Sequence, residues 1–196
     1  MFSQANKKFN IMKKLFLAAA AMLMSVSMNA QNEVGQISIA PTVGINISSV
    51  TDWNDTKAKV GLVAGAVAEY GVAEKFGVSA GVMFSMQGCG FKDEDDKVKL
   101  NYLNIPILAN YYVYKGLAVK AGVQPGILLS AKEGSHDIKD NMKGFDLSIP
   151  VGASYEYQNF VLDARYNIGV TKGNKNGNRS NKNSVFQITL GYKFKI

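Results

Sequence analysis

Six charged side chains stand where the chain alternates apolar and polar residues: Glu69, Lys120, Glu156, Asp163, Arg165 and Lys193. Asp163 and Arg165 lie in FVLDARYNIGV, residues 160–170, between Leu162, Ala164 and Tyr166. In a strand, alternate residues point to opposite faces, so the charges share the face away from the apolar row. Three acids oppose three bases, and buried charges persist only when they are paired and hydrogen-bonded. These residues are candidates for a structural charge network.

Other chemistry is weakly indicated. Ser135, His136 and Asp137 are adjacent in a predicted loop, and successive loop residues rarely converge as a nucleophile, base and orienting acid must. The run KDEDDK, residues 92–97, offers oxygen ligands for a divalent cation but lacks the spacing of a calcium loop. No nucleotide fingerprint and no Cys/His metal spacing is present. We therefore expect no cofactor, no metal site and no enzyme activity.

The elements that would position the six charges are long strands. Period-2 alternation predicts eight segments of about 12 to 16 residues each, longer than the usual globular strand of about 5 or 6. Such lengths suit strands that cross a membrane with a tilt. The segments are residues 36–48, 59–71, 76–87, 99–114, 117–131, 145–158, 160–172 and 184–196.

Connections between these segments alternate in length. Residues 72–75, 115–116 and 159 form short turns, whereas the four other connections are long and polar. Short turns at one end and long loops at the other are typical of a bacterial outer-membrane barrel. Trp53, in the first long loop, is expected to anchor the protein at the membrane interface.

Which face points inward is not settled by the alternation, because a soluble lipocalin-like barrel would bury the apolar row. Three features favour the reverse. Glycine concentrates on the polar face, which suits the crowded lumen of a small barrel. Charges on that face nearly cancel, with Lys59 and Asp146 added to the six. Aromatic residues form a girdle near the short turns: Tyr70, Phe76, Tyr111, Tyr155, Tyr157, Phe160, Tyr192 and Phe194.

Three stretches of the sequence are similar to a known family. The stretch NYLNIPILANYY, residues 101–112, resembles the fourth-strand pattern of the outer-membrane β-barrels widespread in Bacteroidetes, often called porin-like, with Asn104 in place of the usual Glu. LDARYNIG and the terminal GYKFKI resemble that family's seventh and closing strands. More broadly, the chain resembles eight-stranded OmpA/OmpX-like barrels. The resemblance implies an all-β fold, a closed eight-stranded antiparallel transmembrane barrel of up-and-down topology. It also implies recognition of Tyr192 and Phe194 by the barrel-assembly machinery. We further expect β-bulges at Pro106 and Pro150, which lack a ladder donor.

The N-terminus predicts export. From Met12, a candidate start, two lysines precede an apolar run and small residues that end at Ala30, as in a secretory signal peptide. We therefore divide the chain into a signal peptide, residues 1–30, and a barrel domain, residues 31–196. Removing the first segment takes four lysines from the 22 basic residues and no acid from the 15, so the net charge falls from +7 to +3. Nucleic-acid binding then loses its main support, and Cys89 alone cannot form an intrachain disulfide.

The predicted location is the bacterial outer membrane, and its lipids are the expected partners. The preferred function is structural or surface-interacting, with a lumen plugged by polar and charged side chains and an extracellular ligand contacted through the long loops. The alternative is a narrow, porin-like channel for ions or small solutes. A lipid-modifying enzyme that uses His136 is a weaker alternative.

Overall fold

The computed structural model describes residues 33–50, 56–91, 97–134, 136–171 and 182–196. The predicted signal peptide, Trp53 and most of the KDEDDK run lie outside them. The described strands are β1 Ile37–Val50, β2 Thr56–Ala73, β3 Phe76–Phe91, β4 Lys97–Asn104, β5 Ile107–Tyr114, β6 Leu117–Glu133, β7 His136–Asp137, β8 Phe145–Tyr157, β9 Phe160–Gly169, β10 Asn183–Tyr192 and β11 Phe194–Lys195. Among these residues, no helix is long and apolar enough to cross a membrane.

The sheet closes on itself as an antiparallel barrel of eight strand positions. Neighbours follow chain order from β1 to β10, with β4 and β5 sharing the fourth position and β7 lying off β6. Closure is made by β1, which pairs with β10 from Thr42–Gly191 to Val50–Asn183 and with β11 at Ser38 and Ile39. The predicted fold is confirmed, and closure leaves no unpaired sheet edge.

Burial alternates along the strands and shows which face is inside. On β9, Leu162 and Tyr166 are 51% and 44% exposed, whereas Asp163 and Arg165 are 6% and 3% exposed. The other strands of the barrel alternate in the same way. Large apolar side chains cover the outside, and most inward residues are Ser, Asn, Gln, Thr, Gly or charged. An apolar exterior around a polar interior is the reverse of a soluble barrel and matches a membrane barrel.

Two strand positions are interrupted. Residues 105–106 separate β4 from β5, and Lys193 separates β10 from β11. The predicted bulges at Pro106 and Pro150 were wrong. The strand pairing keeps the same register before and after each proline. Around Pro106 the flanking pairs are Asn104–Gly126 and Ile107–Val123. Around Pro150 they are Ala121–Val151 and Gln124–Ser148. Each proline removes a donor, but the ladders on both sides hold the register, so the gap stays local.

The short turns and both described ends of the chain lie together. Ile196 donates its backbone N–H to Ile37 O at 2.9 Å. Ile37, the first residue of β1, pairs with Tyr70 near the end of β2. Exposed aromatic side chains surround this end, and Tyr192 packs edge-on against Phe160 at 5.1 Å between ring centroids. This girdle marks the lipid–water boundary at the short-turn end.

Candidate functional site

The six charged residues predicted from the alternation all point into the lumen. Glu69 lies on β2, Lys120 on β6, Glu156 on β8, Asp163 and Arg165 on β9, and Lys193 between β10 and β11. Five of the six are buried, and Lys120 is half-buried with only 8% of its side chain exposed. Five strand positions therefore bring the six charges together, and the charges divide into two groups.

The first group, which we call the Lys193 group, consists of Lys193, Glu69 and Glu156. Its Nζ lies 2.6 Å from Glu156 Oε2 and 3.5 Å from Glu69 Oε1. Glu69 accepts two more hydrogen bonds, from Asn110 Nδ2 at 2.9 Å and from the hydroxyl of Tyr112. One ammonium thus faces two carboxylates, which gives this group a formal charge of −1. Both carboxylates have hydrogen-bond or ion-pair partners.

The second group, which we call the Asp163 group, consists of Asp163, Lys120 and Arg165. Its Oδ2 lies 3.0 Å from Lys120 Nζ, and its Oδ1 lies 2.7 Å from Arg165 Nε. The second contact is close but not aligned as a hydrogen bond, because both Oδ1 and Nε lack a hydrogen-bond partner among the described residues. One carboxylate faces two cations, so this group carries a formal charge of +1.

Toward the long loops the lumen is filled by amides and hydroxyls. Asn46 and Gln87 both donate to Ser85 Oγ at 2.8 Å, and Asn183 donates to Gln87 Oε1. Lys59, one of the two outlying charges, donates to backbone carbonyls, at 2.9 Å to Gln87 O. The other, Asp146, accepts from Thr171 Oγ1 at 2.5 Å.

An apolar cluster also lies inside the barrel at the long-loop end, and the sequence analysis missed it. Its buried members are Val98, Leu100, Tyr102, Leu128 and Ala131, and Ile138 and Met142 pack against it from the loop after β7. The sequence contains a signal for this cluster. On β4 the apolar residues Val98, Leu100 and Tyr102 occupy the same alternate positions as Asn104, which faces the lumen, so they face the lumen as well. The cluster makes the barrel interior apolar where the loop folds over it.

A small cavity remains between the two charged groups. It offers about 40 Å³ of space for water and is lined by five of the six charged residues, Glu156 being the exception. Ser38 and Thr189 also line it, and their hydroxyls have no hydrogen-bond partner among the described residues. The cavity is partly open and is lined by apolar side chains (Val67, Leu108 and Val161) as well as by these polar ones, with room for a few water molecules.

His136 lies away from this interior. It is exposed on the two-residue strand β7, opposite Glu133, and Asp137 Oδ1 accepts from the backbone N–H of Lys139 at 2.9 Å. Asp137 is therefore engaged in its own turn. In the described part of the chain, no three His, Cys, Asp or Glu side chains are placed to hold a metal ion.

Sequence comparison then decides the family. Residues 29–173 match the family model described as outer membrane protein beta-barrel domain. The chain belongs to this family. No curated protein matches significantly.

Solved outer-membrane barrels share the fold. Ail, the attachment invasion locus protein of Yersinia pestis, solved with the heparin analogue sucrose octasulfate, is 18% identical with a TM-score of 0.55; the match covers 83% of this chain and 100% of Ail. Neisserial surface protein A is 16% identical at a TM-score of 0.52, covering 81% and 97%. OprG from Pseudomonas aeruginosa is 17% identical at 0.51, covering 85% and 99%. At these identities the likeness concerns the fold, which is a bacterial outer-membrane barrel.

Proposed function

We propose that this protein is a non-conducting outer-membrane barrel that displays its long loops to the exterior, where they contact an extracellular ligand. The observation that supports this is the filled lumen. The Lys193 and Asp163 groups cross the barrel near the short turns, and amides and the apolar cluster fill it toward the long loops. A solute would have to break several buried contacts to pass.

A narrow channel is the second candidate. It is favoured by the cavity between the charged groups, which already gives about 40 Å³ of space inside the lumen. Conductance across a planar bilayer separates the two candidates.

Display of the long loops is tested by labelling intact cells with a membrane-impermeant maleimide. His136→Cys, in a Cys89→Ala background, places a thiol on the exposed β7. Lys115→Cys places the matched thiol in an exposed short turn. We expect label on His136→Cys in intact cells, and on Lys115→Cys only after permeabilisation. The opposite pattern would contradict the proposed orientation.

We also propose that the chain carries no catalytic activity, that residues 1–30 are removed on export, and that it belongs with the Bacteroidetes-type barrels it resembles. His136 is exposed and Asp137 accepts from the backbone N–H of Lys139, which supports the first point; Ser135 lies outside the described residues. His136→Ala should leave the lipid composition of the membrane unchanged. Sequencing of the mature N-terminus should give Gln31 as the first residue.

A further inference from the structure

We propose that the lumen cavity binds a small monovalent inorganic anion of the size of chloride, held beside Arg165. This goes beyond the structural role proposed above, because it assigns a ligand to the cavity. Three observations carry it: the uneven division of charge, a set of unsatisfied donors, and a space large enough for the ion.

The division of charge places a local excess of +1 at the Asp163 group. Lys120 Nζ and Arg165 Nε share the single carboxylate of Asp163 at 3.0 and 2.7 Å. The compensating −1 lies in the Lys193 group, where both carboxylates already have partners. Because those carboxylates are engaged within the Lys193 group, an anion beside Arg165 would balance the local excess of +1 at the Asp163 group.

The donors point to the same side of the lumen. A guanidinium has five N–H donors, and no hydrogen bond from Arg165 is made to any described residue. On the neighbouring strand β10, Gln187 pairs with Arg165 and Thr189 pairs with Asp163 in the ladder. Gln187 Nε2 and Thr189 Oγ1 are buried with no described partner. Of these side chains, Arg165 and Thr189 line the cavity, where an acceptor would satisfy their unused donors, whereas Gln187 does not line it.

The space is large enough for a monatomic ion. Arg165 and Thr189 line the cavity and are 3% and 1% exposed. Its volume of about 40 Å³ exceeds the roughly 10 to 15 Å³ that one buried water needs. Glu69 also lines the cavity, and its carboxylate disfavours an anion placed close to it.

Bromide provides the direct test. Crystals of the refolded protein grown in sodium bromide should show one anomalous peak in the cavity, within contact distance of Arg165. In detergent at constant ionic strength, the thermal unfolding midpoint should be higher in chloride than in gluconate. A cavity that contains water alone, together with equal midpoints in the two salts, would overturn the proposal.

Matched variants separate the site from general salt effects. Thr189→Val keeps the shape and all charges but removes one donor, and should weaken the apparent chloride affinity on the order of tenfold. Ser48→Ala removes a buried lumen hydroxyl that donates to Gly88 O at 2.8 Å, away from the cavity, and should keep the chloride dependence. Equal chloride dependence of the unfolding midpoint in both variants would count against the site. If Thr189→Val does not fold, the presence or absence of the bromide peak in the unaltered protein tests the proposal instead.

Discussion

Lys193→Met is the substitution that should disturb the lumen most. Methionine keeps much of the apolar stem of lysine and removes only the ammonium, so packing changes little. Lys193 is 4% exposed, and its Nζ is the only described partner of Glu156, at 2.6 Å. Glu69 keeps Asn110 and Tyr112, so the main loss falls on Glu156.

The expected cost is about 3 to 5 kcal/mol, the range for removing one member of a buried pair and leaving the other charged. Adding Glu156→Gln should recover part of it, because the stranded charge is removed as well. Lys195→Met is the control: Lys195 is exposed, two residues along the same terminal strand, and its substitution should change stability by less than about 0.5 kcal/mol.

The assay is urea unfolding of the protein refolded in lipid vesicles, followed by circular dichroism and by the heat-dependent shift in gel migration. Equal midpoints for Lys193→Met and Lys195→Met would refute the argument, because a buried ammonium between two carboxylates cannot be lost without cost. A double variant no more stable than Lys193→Met would show that Glu156 is not the stranded charge.

Three further substitutions are checked by the same unfolding assay. Arg165→Ala should cost about 1 to 3 kcal/mol and less than Lys193→Met, because Asp163 keeps Lys120 at 3.0 Å; a larger loss than for Lys193→Met would contradict this. Gly152→Ala should cost about 1 to 3 kcal/mol or more, since its Cβ would lie 2.2 Å from the backbone oxygen of Ala164, whereas Gly144→Ala, with open space around it, should be neutral. Val43→Arg, on the outside at 60% exposure, should cost about 2 to 4 kcal/mol in lipid, while a neutral result would argue against a lipid-facing surface there; Val43→Leu is the control.

Much of the fold follows from local alternation. The predicted fourth segment, residues 99–114, covers β5 and all but the first two residues of β4, and the third, 76–87, starts at the first residue of β3. Period-2 patterning is a property of neighbouring residues, so it can be read without knowing the partner strand. The two proline bulges were wrong because register depends on the whole ladder, which one missing donor at Pro106 or Pro150 does not shift.

The site was partly predictable for the same reason. Alternation alone brings Asp163 and Arg165 to the lumen, but the choice of partner depends on strand tilt and stagger, which no local pattern contains. Hence the sequence could not show that Lys193 serves two carboxylates or that Asp163 serves two cations. The apolar cluster at Leu100 was missed because apolar rows were all assigned to the lipid face.

Planar-bilayer recording of the refolded protein tests the central claim, a lumen closed by its own side chains, most directly. We predict no stable openings for the unaltered chain. Stable openings of the unaltered chain that are abolished by substitution of Arg165 or Glu156 would contradict the account and make the protein a channel.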